Sequence, residues 1–289
     1  VGSEKPEKFH HRLEAYATTY AVNSKPQLNP HRCRLAIKWT RLPPFNFSYL
    51  VEGIAMNEDA IFRRRNLPHI DIADKPYFIT ACLHGSINAK GLKQIRAYRD
   101  ELASRKRPEK HCESEWESVQ HKLVFKLVDS ILDGEPSVQH LRDDRLAAIV
   151  QKAFLHFADQ RYQLFAFVVM PSHHHWVFLP DEKWSEQLTF KERMKERPRT
   201  AREAISHSIQ SYTGSCCNKV LGVPGQFWQW ETFDHYVRNE NELMRIIHYI
   251  EQNPIVAGLA SKPGDFRWSS AFLRKKNGLK LGDSIPKVA

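Results

Sequence analysis

Cysteine is scarce and unpatterned in this 289-residue chain: Cys33, Cys82, Cys112, Cys216 and Cys217 are odd in number and form no C-x-x-C pair. That argues against a disulfide framework and against a zinc ribbon, so the thiols are expected to be reduced and mostly structural. Long apolar runs are also missing. None approaches the roughly 18 residues that span a bilayer, and the start lacks the basic head and apolar stretch of a signal peptide, so a cytoplasmic protein is expected. No internal repeat or low-complexity tract occurs. Acidic residues are outnumbered, 33 Asp plus Glu against 43 Lys plus Arg, and the resulting charge of +10 makes a polyanion such as nucleic acid a natural partner.

What is present suffices for a real core, since 42% of the residues are hydrophobic, and the length suits one domain with extensions or two small ones. Residues 1–55 contain scattered Pro, His and Arg with no sustained period of 2 or 3.6, so they are expected to lie outside the main fold. Met56 stands just before the patterned region, and the expectation drawn from it is a native start there.

From that point the pattern is legible. Tyr77 to Leu83 (YFITACL) is β-branched and aromatic, with Lys75-Pro76 before it and His84-Gly85 after it, which predicts a first strand. Lys90 to Phe157 reads as about three helices with breaks at Pro108 and at Gly134 to Pro136. Tyr162 to Met170 and His173 to Leu179 are two strand candidates separated only by Pro171-Ser172, which predicts an antiparallel hairpin. A helix over Arg199 to Val220, a strand over Thr232 to Val237 and a helix over Asn239 to Asn253 follow. The order β, α, β, β, α, β predicts an α+β fold of the ferredoxin-like split βαβ type, with an extra C-terminal helix.

Two places carry chemistry. In Pro171-Ser172-His173-His174-His175-Trp176, strand alternation puts His173 and His175 on one face and His174 on the other. Two imidazoles on one side can grip one metal, although a surface cluster or hydrogen-bonded core histidines would show the same spacing. In Leu243-Met244-Arg245-Ile246-Ile247-His248-Tyr249-Ile250-Glu251-Gln252-Asn253-Pro254, the apolar positions form a helical stripe with Tyr249 at its edge. Asn253 lies one turn beyond Tyr249 on nearly the same side, so a hydroxyl and an amide oxygen can meet. Taken alone, that tyrosine reads first as an amphipathic residue capping a core. Pro254 places the amide near the helix end.

In combination these segments resemble the HUH single-strand DNA endonucleases, and most closely the REP-associated tyrosine transposases. Val168-Val169-Met170-Pro171-Ser172-His173-His174-His175 is similar to that family's V-V-M-P-N-H-V-H strand, departing from it at His174, where the family places a hydrophobic residue. His248-Tyr249-Ile250-Glu251-Gln252-Asn253-Pro254 resembles its D-Y-I-x-x-N-P motif. Gly225-Gln226-Phe227-Trp228-Gln229 with Phe233-Asp234-His235-Tyr236-Val237-Arg238 resembles its W-Q…F…D-H…I-R segment, and Phe266-Arg267-Trp268-Ser269-Ser270 its closing W-S-S. Arg63-Arg64-Arg65 stands where the family has a basic approach to the first strand. The likeness spans roughly residues 62–275, and the domains expected from it are an extension over 1–55, a catalytic domain over 56–275 and a tail over 276–289.

The resemblance implies Tyr249 as nucleophile, with His173, His175 and, by position, Asn253 holding Mg²⁺ or Mn²⁺. Two imidazoles by themselves would equally suit zinc. It implies cleavage and rejoining of single-stranded DNA at REP-like hairpins through a 5′-phosphotyrosine. Arg63, Arg64, Arg65, Trp228, Gln229 and Arg238 are the candidate DNA contacts. Trp228 and Trp230 are candidates for base stacking, with core packing expected for at least one of them. The basic segment holding Lys93, Arg96, Arg99, Arg105, Lys106 and Arg107 is a candidate backbone track. A monomer is expected. Two other readings stay open: a domesticated hairpin-binding protein without cleavage, and a zinc-dependent hydrolase, which would need a further His, Cys or carboxylate ligand.

Overall fold

The computed structural model describes residues 61–64, 68–134, 136–230 and 232–287. The expectations for residues 1–55, for a start at Met56 and for Arg65 lie outside them. Short strands β1 (Ile61–Arg64) and β2 (Pro68–Asp71) pair as an antiparallel ribbon. Then come β3 (Tyr77–Cys82), α1 (Ala89–Ser104), α2 (Glu113–Asp133), a 3-10 turn, α3 (Asp144–His156), β4 (Tyr162–Val169) and β5 (His173–Pro180). The chain continues through α4 (Glu182–Glu192), α5 (Ala201–Leu221), β6 (Phe233–Tyr236), α6 (Glu240–Val256), a second 3-10 turn and α7 (Ser270–Asn277).

Four strands make the main sheet in the order β4-β5-β3-β6, every neighbouring pair antiparallel. With helices between β3 and β4 and between β5 and β6, this is the split βαβ arrangement that the order of elements predicts. The α+β class stands. Three helices fill the crossover as expected, and the hairpin closes over Pro171-Ser172 through Met170 N–H donating to the His173 carbonyl at 2.8 Å.

The sheet is covered on both faces. One is packed by Leu146, Val150 and Phe154 of α3 and by Ile205, Ile209 and Cys217 of α5. The other is packed by Leu243, Ile247 and Ile250 of α6, with Phe125 of α2 against it. The strands are therefore nearly continuous in burial, β4 and β5 being buried along most of their length, as a two-sided core requires.

Local signals fix the helix starts. Thr200 and Glu203 form a reciprocal capping box on α5, Asn239 caps α6 by accepting from Glu242 N–H, and Ser269 caps α7 by accepting from Phe272 N–H. Helix α6 runs past Asn253 and holds Pro254 inside its last turn, so the amide sits a little further from the end than Pro254 suggested. The ribbon β1–β2 and helices α4 and α7 were not anticipated. Residues 276–287, expected as a tail, complete α7 and return to the sheet, where Ile285 is buried and its N–H donates to the Leu164 carbonyl at 2.6 Å. No helix among the described residues is long and apolar enough to cross a membrane.

Candidate metal and tyrosine site

Alternation along β5 turns His173 and His175 to the face covered by α2 and α6, and both are fully buried there. Each ring is oriented by a hydroxyl. His175 Nδ1 is 2.6 Å from Thr80 Oγ1, contributed by the residue that faces it on β3, and His173 Nδ1 is 3.0 Å from Ser172 Oγ. With Nδ1 occupied in both rings, the two Nε2 atoms converge, 3.1 Å apart. A polar partner at each Nδ1 fixes the ring and leaves both Nε2 atoms turned to one point, as a shared metal ion would require.

Helix α2 supplies what the strand lacks. Asp129 and Asp133 are one turn apart on its buried side, with Asp129 Oδ1 3.1 Å from His175 Nε2 and 4.0 Å from His173 Nε2. Asp133 Oδ1 lies 3.7 Å from His173 Nε2. Asp129, His173 and His175 form a set of donor atoms all within 4.8 Å of one another. The turn before β5 is tied to the end of α2, since Ser172 Oγ donates to the Leu132 carbonyl at 3.2 Å.

Helix α6 closes the third side. The Tyr249 hydroxyl donates a short hydrogen bond to Asp129 Oδ2. Its ring stands edge-on to Phe78, with centroids 6.0 Å apart, and 5.5 Å from the His175 ring. Asn253, buried at 3% exposure, directs its amide toward the Tyr249 hydroxyl. The structure thus gathers His173, His175, Tyr249 and Asn253 at one place, and adds Asp129 and Asp133.

The electrostatics of that place are strained. Burial and the Asp129 charge push the Tyr249 hydroxyl well above its ordinary range. Burial, with Asp129 next to it, raises the Asp133 carboxyl to about 8. Burial lowers His173 to about 3, the neighbouring His175 adding to the effect. Burial would also raise Asp129, but the two histidines and the tyrosine hydroxyl outweigh it and hold the carboxylate ionised. Three buried oxygens, Oδ1 of Asp129, of Asp133 and of Asn253, have no hydrogen-bond partner among the described residues. Unpaired buried acceptors are costly. Around two imidazole nitrogens they make a mixed N/O donor set that a divalent cation would satisfy, and one with more oxygen character than the imidazole pair alone.

The remaining candidates divide. Trp228 is buried, its indole N–H donating to Thr213 Oγ1 at 2.8 Å, while Trp230 is 79% exposed. Of the two, then, Trp228 packs in the core and Trp230 is exposed. Gln229 donates its backbone N–H to the Cys82 carbonyl at 2.8 Å, which continues the pairing beyond β6. Arg238 is bound to Glu242 through both its Nε and its terminal nitrogen, at 3.0 and 2.6 Å. Arg63 and Arg64 lie in β1, which pairs with β2 and not with the main sheet. The four described cysteines are free.

Several matched motif residues hold the fold. Asp234 and Asp71 flank the buried Arg202 guanidinium at 3.4 and 2.5 Å, and His235 Nε2 lies 3.2 Å from Glu242. Trp268 donates to Asp144 at 3.0 Å, and Ser270 donates to Glu251, itself bridged by Arg274 at 2.8 Å. His174 is buried on the opposite face between Phe154 and Trp228, with neither ring nitrogen hydrogen-bonded among the described residues. Burial, then the charges of its two neighbours, drives it well below the ordinary histidine range, so it is neutral.

No family model matches the chain, and no curated protein matches it. Among solved structures it matches a REP-associated tyrosine transposase bound to a REP hairpin, at 16% identity over 75% of this chain and 89% of that one, with a TM-score of 0.41.

Proposed function

We propose that this protein is a metal-dependent single-strand DNA endonuclease of the transposase type, cutting and rejoining strands at REP-like hairpins through Tyr249. The observation that carries the reading is the convergence of one tyrosine hydroxyl, one ionised carboxylate and a mixed His/Asp/Asn donor set in a single buried place.

His173, His175 and Asp129, with Asn253 close by, would hold Mg²⁺ or Mn²⁺. When bound, the cation supplies Lewis-acid polarisation of the scissile phosphate and offsets charge on the leaving oxygen. Everything else falls to side chains. A tyrosine hydroxyl, ordinarily near pKa 10, is a weak nucleophile until its proton is removed, and Asp129 Oδ2 already accepts that hydrogen bond. Tyr249 Oη then bonds to phosphorus, the P–O3′ bond breaks, and the tyrosine proton passes to Asp129, which returns it to solvent while a solvent proton completes the departing 3′ oxygen as a hydroxyl. The ester left on Tyr249 conserves the broken bond, so a 3′-OH can reverse the step without a nucleotide cofactor.

One observation favours a second reading. Asp129 is the further carboxylate ligand that a zinc hydrolase would need. The separating experiment incubates the protein with a labelled single-stranded hairpin in Mn²⁺ and runs denaturing gels alongside Tyr249→Phe. A metal-dependent covalent band lost in Tyr249→Phe supports the transposase reading. Cleavage that survives Tyr249→Phe supports the hydrolase, and hairpin binding with no cleavage supports a binder that has lost the reaction.

A further inference from the structure

A cluster of basic groups lies beside the tyrosine site on the same two helices. Lys122 stands two turns before Asp129 on α2, and Arg245 one turn before Tyr249 on α6. Between them, Glu242 is buried at 6% exposure and takes up the Arg238 guanidinium, with Lys122 Nζ 3.7 Å away. His235 Nε2 also reaches Glu242, at 3.2 Å.

The charges do not balance. Among the described residues, Lys122 and Arg238 share the one Glu242 carboxylate, Arg238 already occupies both of its oxygens, and Arg245 adds a further positive charge acting on Lys122. Burial lowers the Lys122 ammonium, the charge of Arg238 lowers it further and that of Arg245 adds to this, although Glu242 opposes them. A half-exposed ammonium with two guanidinium charges acting on it is incompletely compensated by one carboxylate that Arg238 already holds. A polyanion threaded past it would relieve the repulsion.

We infer that Lys122, Arg245 and the outer edge of Arg238 form a phosphate-tracking ridge that leads a single DNA strand along α2 and α6 toward Tyr249. The inference rests on the function proposed above and gives that site its strand path. Glu242 acts as the positioning residue that holds Arg238 in place, so the net positive charge offered to phosphates comes from Lys122 and Arg245. Arg238 was a candidate DNA contact from sequence; Lys122 and Arg245 become candidates through the packing of α2 against α6.

The test measures binding of a fluorescent single-stranded hairpin oligonucleotide as a function of KCl. It compares the full chain with the Lys122→Gln/Arg245→Gln double variant and with a Lys183→Gln/Lys191→Gln control of equal charge on α4. Loss of two single-strand phosphate contacts lowers the slope of log affinity against log salt by about 1.4. The expected result is that drop, with affinity reduced about tenfold at low salt, in the ridge variant alone and with its circular dichroism unchanged. Equal slopes in the ridge variant and the full chain would overturn the ridge, as would an equal drop in the control, even if the Tyr249 adduct forms. A ridge-specific drop without any adduct would leave the ridge standing and remove the cleavage reading instead.

Discussion

The Tyr249 hydroxyl donates its hydrogen bond to a carboxylate 120 positions earlier in the chain, that of Asp129. The same carboxylate turns its other oxygen toward His175 Nε2, 3.1 Å away. A single side chain therefore couples the nucleophile to the histidine pair.

Asp129→Asn removes the proton acceptor while keeping the shape. General-base assistance contributes about 10²–10⁴-fold, so the single-turnover rate of adduct formation is expected to fall by that order. Asn253→Ala is expected to weaken Mn²⁺ binding in calorimetry and to leave Asp129 bonded to Tyr249. If Asp129→Asn forms adduct at the full rate, its role as acceptor is wrong.

The hydroxyl on β3 matters through His175. Thr80→Val keeps the volume but leaves His175 Nδ1 without its 2.6 Å partner. Mn²⁺ affinity measured calorimetrically is expected to drop about 10–100-fold, and His175→Ala is expected to lose more than Thr80→Val. Equal affinities for Thr80→Val and the unaltered chain would show that the ring needs no such support.

How far these residues were legible in the sequence follows from the range over which each signal acts. His173 and His175 share a face because a strand alternates, and Tyr249 and Asn253 share one because a helix advances about 100° per residue; both are local geometry. Asp129 and Asp133 carried a signal too, two acids one turn apart on the side of α2 that holds Phe125 and Leu132. It was masked because two aspartates at one-turn spacing on a helix read as a solvated edge beside an apolar stripe until β5 is known to pack beneath. The fold was read well wherever apolar runs were bounded by Pro or Gly, as at β3 and the β4–β5 hairpin. The four-residue ribbon strands β1 and β2 are too short to show alternation. Helix α4 lacks buried apolar residues to mark a period, with only Glu192 buried along it.

Arg202 is the internal counter-ion of two aspartates, Asp71 and Asp234, and all three side chains are buried. Arg202→Met strands both carboxylates and is expected to cost about 3–5 kcal/mol in urea unfolding. A loss under about 1 kcal/mol would show that the cluster is hydrated and structurally idle.

Glu242 gives a pH signature. Burial would raise its carboxyl, but hydrogen bonds from His235 and Arg238 outweigh that and depress it well below the ordinary 4.5. A depressed carboxyl contributes stability that is present above its unfolded pKa and lost as pH falls toward the folded value. Glu242→Gln is therefore expected to be less stable than the unaltered chain at pH 7, with the gap narrowing below about pH 4.5. A gap that stays constant between pH 7 and pH 3 would contradict the assignment.

His174 sits in an aromatic pocket with no partner for either nitrogen among the described residues. His174→Leu is expected to raise stability by about 1–2 kcal/mol, because it removes unsatisfied buried polar atoms at similar volume. A lower melting temperature in His174→Leu would mean that the ring nitrogens are satisfied, by water or otherwise.

The central claim is that Tyr249 becomes covalently joined to DNA. Trypsin cuts after Arg245 and Arg267 but not at Lys262, which precedes Pro263, so residues 246–267 leave as one peptide whose only tyrosine is Tyr249. After incubation with a single-stranded hairpin and Mn²⁺, followed by nuclease trimming, mass spectrometry of that peptide gives the answer directly. The account predicts a nucleotide mass on residues 246–267, absent when the metal is chelated; cleaved DNA with that peptide unmodified would contradict it.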